Sequence, residues 1–76
     1  MTEHQLVKSF AFNLKSIMDE LEVTPSILSS RTGINRSTIS RYLNRETIPS
    51  VKNLINIAIV LDCELNDLVD DSEMIE

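Results

Sequence analysis

Cysteine occurs once in this 76-residue chain, at Cys63, so no internal disulfide framework holds the fold together. Glycine also occurs once, at Gly33, and proline twice, at Pro25 and Pro49, which leaves few positions that punctuate the chain. No apolar run approaches the roughly 20 residues that span a bilayer. The opening MTEHQLVKSF lacks the basic flank and apolar stretch of a secretion signal. A complete, cytoplasmic chain without membrane contact is therefore expected. There is no carboxylate pair set for acid–base work, no Ser/His set and no Gly-rich phosphate loop, so the usual foundations of an enzyme are missing. His4 stands alone near the terminus, without a partner at metal-ligand spacing. Neither a metal nor a cofactor is expected.

What is present suits one small folded domain. The length allows one domain and not two. An apolar fraction of 42% is that of a folded protein. So small a core gains from a dimer or a partner. The net charge of -5 argues against a nucleic-acid binder until its distribution is read. Seven of the 12 acids lie from Asp62 onward, where there is no base. The first 61 residues hold all seven bases against five acids, a net of +2. Between Arg31 and Arg45 there are four arginines and no acid; Glu46 follows at once.

Periodicity gives five helices and no strand. Val7, Phe10, Ala11, Leu14, Ile17, Met18 and Leu21 form one apolar stripe, predicting a first helix from about Leu6 to Leu21. Thr24-Pro25 is an N-cap followed by proline at the first helical position. It starts a short second helix to about Thr32, with Ile27 and Leu28 expected inward. Gly33 stands where a left-handed residue ends a helix. In the tight turn Gly33-Ile34-Asn35, Ile34 plugs the angle between two helices and Asn35 caps the next. The third helix, Arg36 to about Leu43, turns Ile39 and Leu43 inward. After the polar loop Asn44 to Pro49, Ser50 caps a fourth helix, Val51 to Leu61, with Leu54, Ile57, Ala58 and Leu61 inward. Asp62-Cys63-Glu64 breaks the chain before a short fifth helix carrying Leu65 and Leu68. The expected domain core runs over about 6–69, and residues 70–76 form an acidic, frayed tail.

Two short helices joined by a turn with Gly, the second polar outside, follow the helix-turn-helix plan. Several features resemble the phage Cro and lambda-type repressor family, also called the xenobiotic-response-element family. They are Leu28, five residues before Gly33; Gly33-Ile34; the run Ser37-Thr38-Ile39-Ser40-Arg41; Pro49-Ser50; Ile57-Ala58 with Leu61; and Leu65 with Leu68. The resemblance covers roughly residues 10–69. It implies an all-α, five-helix, lambda-repressor-like domain that binds double-stranded DNA through the helix starting at Arg36. Its polar, cationic face carries Arg36, Ser37, Ser40 and Arg41, and arginine suits a bidentate contact to guanine. The resemblance implies base contacts at Arg36, Ser37 and Arg41, with Ser40 on the same face. It implies backbone contacts at Thr24, Asn44, Arg45 and Thr47, with Ser37 and Thr38 able to reach bases or phosphates. Backbone N–H groups at the start of the second helix would face a phosphate as well.

Three positions depart from the family pattern. Pro25 stands where a glutamine usually braces the recognition helix, so that contact is lost or passes to Thr24 and Ser26. Met18 and Leu43 replace a partly buried ion pair, an exchange that packed hydrophobes tolerate. Ile55 and Ile59, four apart on one face, replace polar residues. Either the core wraps further round to cover them or they form the seam of a homodimer, to which Met74 and Ile75 could add. Cys63 falls where a small apolar residue is usual and is expected as a buried thiol; a redox sensor is the alternative. The Tyr42 phenol faces a phosphate, or its ring packs against the loop. The acidic end is a solvated surface, a device that orients DNA by repulsion, or a site for a basic partner. Two functions follow: a sequence-specific transcription regulator, a repressor acting by operator occupancy, or a protein-interaction module of the same fold, such as an antitoxin-like or adaptor subunit.

Overall fold

The computed structural model describes residues 2–69. It contains α1 (Glu3–Leu21), α2 (Pro25–Thr32), α3 (Arg36–Leu43), α4 (Val51–Leu61) and α5 (Leu65–Val69). The expectations for the acidic tail, including Met74 and Ile75, fall outside these residues. α1 packs against α3, α4 and α5; α2 packs against α3 and α4; α4 also meets α5. No helix among the described residues is long and apolar enough to cross a membrane.

Hydroxyl caps set three of the helix starts. Thr24 Oγ1 accepts from the Ile27 N–H at 3.2 Å, and Ser50 Oγ accepts from the Asn53 N–H at 3.2 Å. α1 starts earlier than its apolar stripe implies. Thr2 Oγ1 accepts from the Gln5 N–H while Gln5 Oε1 accepts from the Thr2 N–H, a reciprocal capping box that adds the first turn. That turn carries little apolar pattern, so periodicity could not extend the helix to it.

The core gathers Phe10, Leu14, Met18, Leu28, Ile34, Ile39, Tyr42, Ile57, Ala58, Leu61 and Leu68. Leu43 and Leu54 pack against it half-buried. Met18 and Leu43 thus both belong to the packed interior, consistent with hydrophobes in place of an ion pair. One inward expectation is corrected, and two further apolar positions prove exposed. Ile27 is 37% exposed, since on the eight-residue α2 only Leu28 reaches the core. Leu65 is exposed at the start of α5, where Leu68 alone is buried. Leu21, at the last turn of α1, is exposed as well.

Two buried polar residues fasten the last helix. Asn13 Nδ2 donates to the Leu68 carbonyl oxygen at 3.1 Å and to Ser9 Oγ at 3.4 Å. Both side chains are buried, and this bond crosses from α1 to α5. A buried amide left unbonded would cost about 1–3 kcal/mol, so the contact fixes how α5 sits on α1.

Chain reversals fall at residues with positive φ: Glu22 at 58°, Gly33 at 77°, Arg45 at 64° and Asp62 at 53°. With a single glycine in the sequence, three of these turns are made by residues that bear a Cβ. Each such residue forgoes about 1–2 kcal/mol against a right-handed alternative, less for Asp. The hydrogen bonds of the helix ends offset that cost.

Candidate nucleic-acid interface

The turn between α2 and α3 is laced by side chains. Ser29 Oγ donates to the Ile34 carbonyl oxygen at 2.6 Å, and Thr32 Oγ1 donates to the Leu28 carbonyl oxygen at 2.8 Å. The Ile34 N–H donates to Thr32 Oγ1 at 3.1 Å. From α4, Asn56 Nδ2 donates to the Thr32 carbonyl oxygen at 2.7 Å. With Ile34 buried beneath, these bonds hold the angle between the two helices. Neither Ser29 nor Asn56 stands out in the sequence, because single polar residues on short helices carry no periodic signal.

α3 is strictly two-faced. Ile39 and Tyr42 are buried, while Arg36, Ser37 and Arg41 are exposed and Thr38 and Ser40 are half-buried. Steps of four place Arg36 with Ser40, and Ser37 with Arg41, on the outer side. Tyr42, with either role open from sequence, is a core residue at 2% exposure. Its ring meets Phe10 edge-on, with centroids 5.7 Å apart at 80°, and its hydroxyl accepts from Asn53 Nδ2 at 3.3 Å.

Asn35 precedes α3 as expected but makes no side-chain cap, in contrast to Thr2, Thr24 and Ser50. Its exposed carboxamide and the N–H groups of Arg36 and Ser37 have no acceptor or donor partner among the described residues. At the start of α2, Pro25 has no N–H and the Ile27 N–H is taken by Thr24. The Ser26 N–H alone of that first turn is left without a partner among the described residues.

Arg31, Arg36 and Arg45 form no ion pair among the described residues. Arg41 Nε lies 4.0 Å from Glu46 Oε1, with both side chains more than half exposed, a contact worth little. α3 ends in a Schellman arrangement: the Glu46 N–H donates to the Arg41 carbonyl oxygen at 2.9 Å and the Arg45 N–H to that of Tyr42 at 3.2 Å. Arg45 therefore occupies the left-handed position usually given to glycine. Asn44 and Arg45 are exposed. Thr47 is half-buried, and its hydroxyl donates to the Ile48 carbonyl oxygen at 3.3 Å. Thr24 and Ser26 are exposed at the start of α2.

Away from α3, Cys63 is half-buried rather than fully buried. Desolvation raises its thiol pKa above the ordinary value, and the charges of Asp67 and Asp62 raise it further. Such a thiol is a poor nucleophile, which disfavours the redox-sensor alternative. No group of three or more potential metal ligands occurs among the described residues.

Two short helices locked at a glycine turn, the second showing solvent an arginine-bearing face, define a helix-turn-helix domain. Residues 13–73 match the Cro/C1-type HTH DNA-binding domain, and the chain belongs to that family. No curated protein and no solved structure matches the chain.

Proposed function

We propose that this protein is a sequence-specific DNA-binding transcription regulator, a repressor that acts by occupying an operator with α3 in the major groove. The observation that carries the reading is the outer face of α3, where Arg36 is exposed and without an ion pair among the described residues. Arg36 and Arg41 take the guanine-reading role, with Ser37 and Ser40 beside them. Asn35, uncapped and exposed, joins them as a base-contact candidate, since a carboxamide suits adenine. Thr24, Ser26, Thr38, Asn44, Arg45 and Thr47 meet the DNA backbone, and the Ser26 N–H at the start of α2 is suited to a phosphate. Thr47 contributes least through its hydroxyl, whose proton is already donated to the Ile48 carbonyl oxygen, whereas the Thr24 hydroxyl accepts from the Ile27 N–H and keeps its proton for a phosphate.

The regulator works as a homodimer. Ile55 and Ile59 are 42% and 72% exposed, so the core does not wrap round to cover them, and Val51 at 73% extends the stripe by one more step of four. Pairing of such faces sets two recognition helices on half-sites about one helical turn apart. Replacing Arg36 and Arg41 together by alanine tests the reading: retention on DNA is lost while helix content is kept. Equal retention by the double variant would overturn it.

A further inference from the structure

We propose that the cleft between the second half of α1 and the α4–α5 connection, apolar along its floor and acidic along its edge, docks a basic amphipathic helix of a partner protein. The cleft has a volume of about 550 Å³. Phe12, Ile17, Leu21 and Leu61 supply its apolar lining. Phe12 and Leu21 are large hydrophobic side chains left exposed, each with contact area that a partner could cover. Every charged residue that lines the cleft is acidic: Glu20, Asp62 and Asp67. Helical spacing puts Phe12, Ser16 and Glu20 in one row of α1 and Ile17 and Leu21 in the next. Apolar and anionic groups thus run side by side along the same wall.

The complement of such a wall is a helix that presents leucine-like side chains at steps of three and four, flanked by Lys or Arg. A small cation suits the site less well, because specific small-ligand pockets enclose most of their ligand and this cleft is open to solvent. The chain's own C-terminal segment fits poorly: residues 70–76 add four acids and no base. A second copy offers its arginines on α3, whose apolar residues Ile39 and Tyr42 are committed to the core. A separate partner of basic and apolar character is what remains. No residue of α3 lines the cleft, so docking there leaves the outer face of α3 uncovered. Docking at the cleft is independent of DNA binding.

The test uses the full chain and a labelled helical peptide of Leu and Lys at amphipathic spacing, with a Leu/Glu peptide as the control. Fluorescence anisotropy should report binding of the first and not of the second. Amide shifts in a ¹⁵N-labelled sample should concentrate at 12–21 and 61–67, and alkylation of Cys63, which lines the cleft, should slow. Leu21→Glu, or Glu20→Lys with Asp62→Asn, should each weaken binding by about tenfold or more, roughly 1.4 kcal/mol. The three positions are exposed, and asparagine tolerates the left-handed backbone at 62, so circular dichroism should show folded variants. No binding of the Leu/Lys peptide would overturn the proposal. So would undiminished binding by these variants, shifts confined to residues 70–76, or peptide seated instead on Val51, Ile55 and Ile59.

Discussion

Asn56 of α4 donates through Nδ2 to the carbonyl oxygen of Thr32, at 2.7 Å, at the last residue of α2. The bond ties the helix-turn-helix to a third helix at the point where the chain reverses. Thr32 is already held twice, through Oγ1 to Leu28 and from the Ile34 N–H. Asn56 is thus the long-range member of a local network. Asn56→Ala should lower stability by about 1 kcal/mol, the usual net value of one such bond. In a domain of this size that is a fall of roughly 4–8 °C in Tm. Amide exchange at Gly33, Ile34 and Asn35 should accelerate more than exchange in the middle of α1. A uniform change across the chain would mean that the bond stabilises the domain without holding the turn.

Two left-handed residues should respond in opposite directions. Gly33 has φ +77° and no atom within 4 Å of where a Cβ would stand, so Gly33→Ala meets only the backbone penalty, about 1–2 kcal/mol. Arg45 sits at φ 64° with its Cβ in place, and Arg45→Gly should relieve part of a similar penalty. Thermal unfolding should show the first variant less stable and the second more stable. If Arg45 holds a phosphate as proposed, Arg45→Gly should also weaken DNA binding and flatten its salt dependence. Gained stability with full DNA affinity would remove Arg45 from the interface.

These outcomes bear on what the sequence could and could not reveal. The extents of α2, α3 and α4 were legible because each start carries a strong signal: Thr24-Pro25, Asn35 and Ser50. Gly33 was legible for the same reason. The ends of α1 at Leu21 and of α3 at Leu43 were legible too, but the left-handed backbone at Glu22 and Arg45 was not, because no propensity marks a Glu or an Arg as left-handed. Periodicity assigned Leu28, Ile34 and Ile39 inward correctly, yet it also sent Ile27 inward and did not part the exposed Leu65 from the buried Leu68. On helices of eight and five residues, one turn decides burial, and that turn depends on neighbours. At the candidate site, the two-faced character of α3 could be read from spacing. The freedom of the Asn35 side chain could not, since an asparagine before a helix reads as a cap whether or not it bonds.

Tyr42→Phe separates a core role from a contact with DNA. The hydroxyl removed is the acceptor for Asn53 Nδ2, so stability should fall by about 0.5–1.5 kcal/mol. Because the ring is buried against Phe10, DNA affinity measured below the unfolding range should not change. A weaker complex with unaltered stability would place the phenol at a phosphate after all.

The exposed stripe on α4 predicts the state of assembly. Ile55→Glu with Ile59→Glu should give a folded monomer by sedimentation and weaken operator binding, since one small domain gains little affinity alone. Neither side chain belongs to the buried core, so helix content should be preserved. An unaltered sedimenting mass would remove this face as the seam.

The central claim, that α3 reads DNA, is tested most directly by selecting bound sequences from random duplex DNA with the wild-type chain and titrating the selected site with salt. The account predicts an enriched site with two half-sites about one helical turn apart, containing guanines, and an affinity that falls linearly on a log–log plot as salt rises. It also predicts that Arg36→Ala relaxes the preference at one guanine by about 1–3 kcal/mol. Recovery of no sequence, with no salt-dependent retention at any ionic strength, would contradict it.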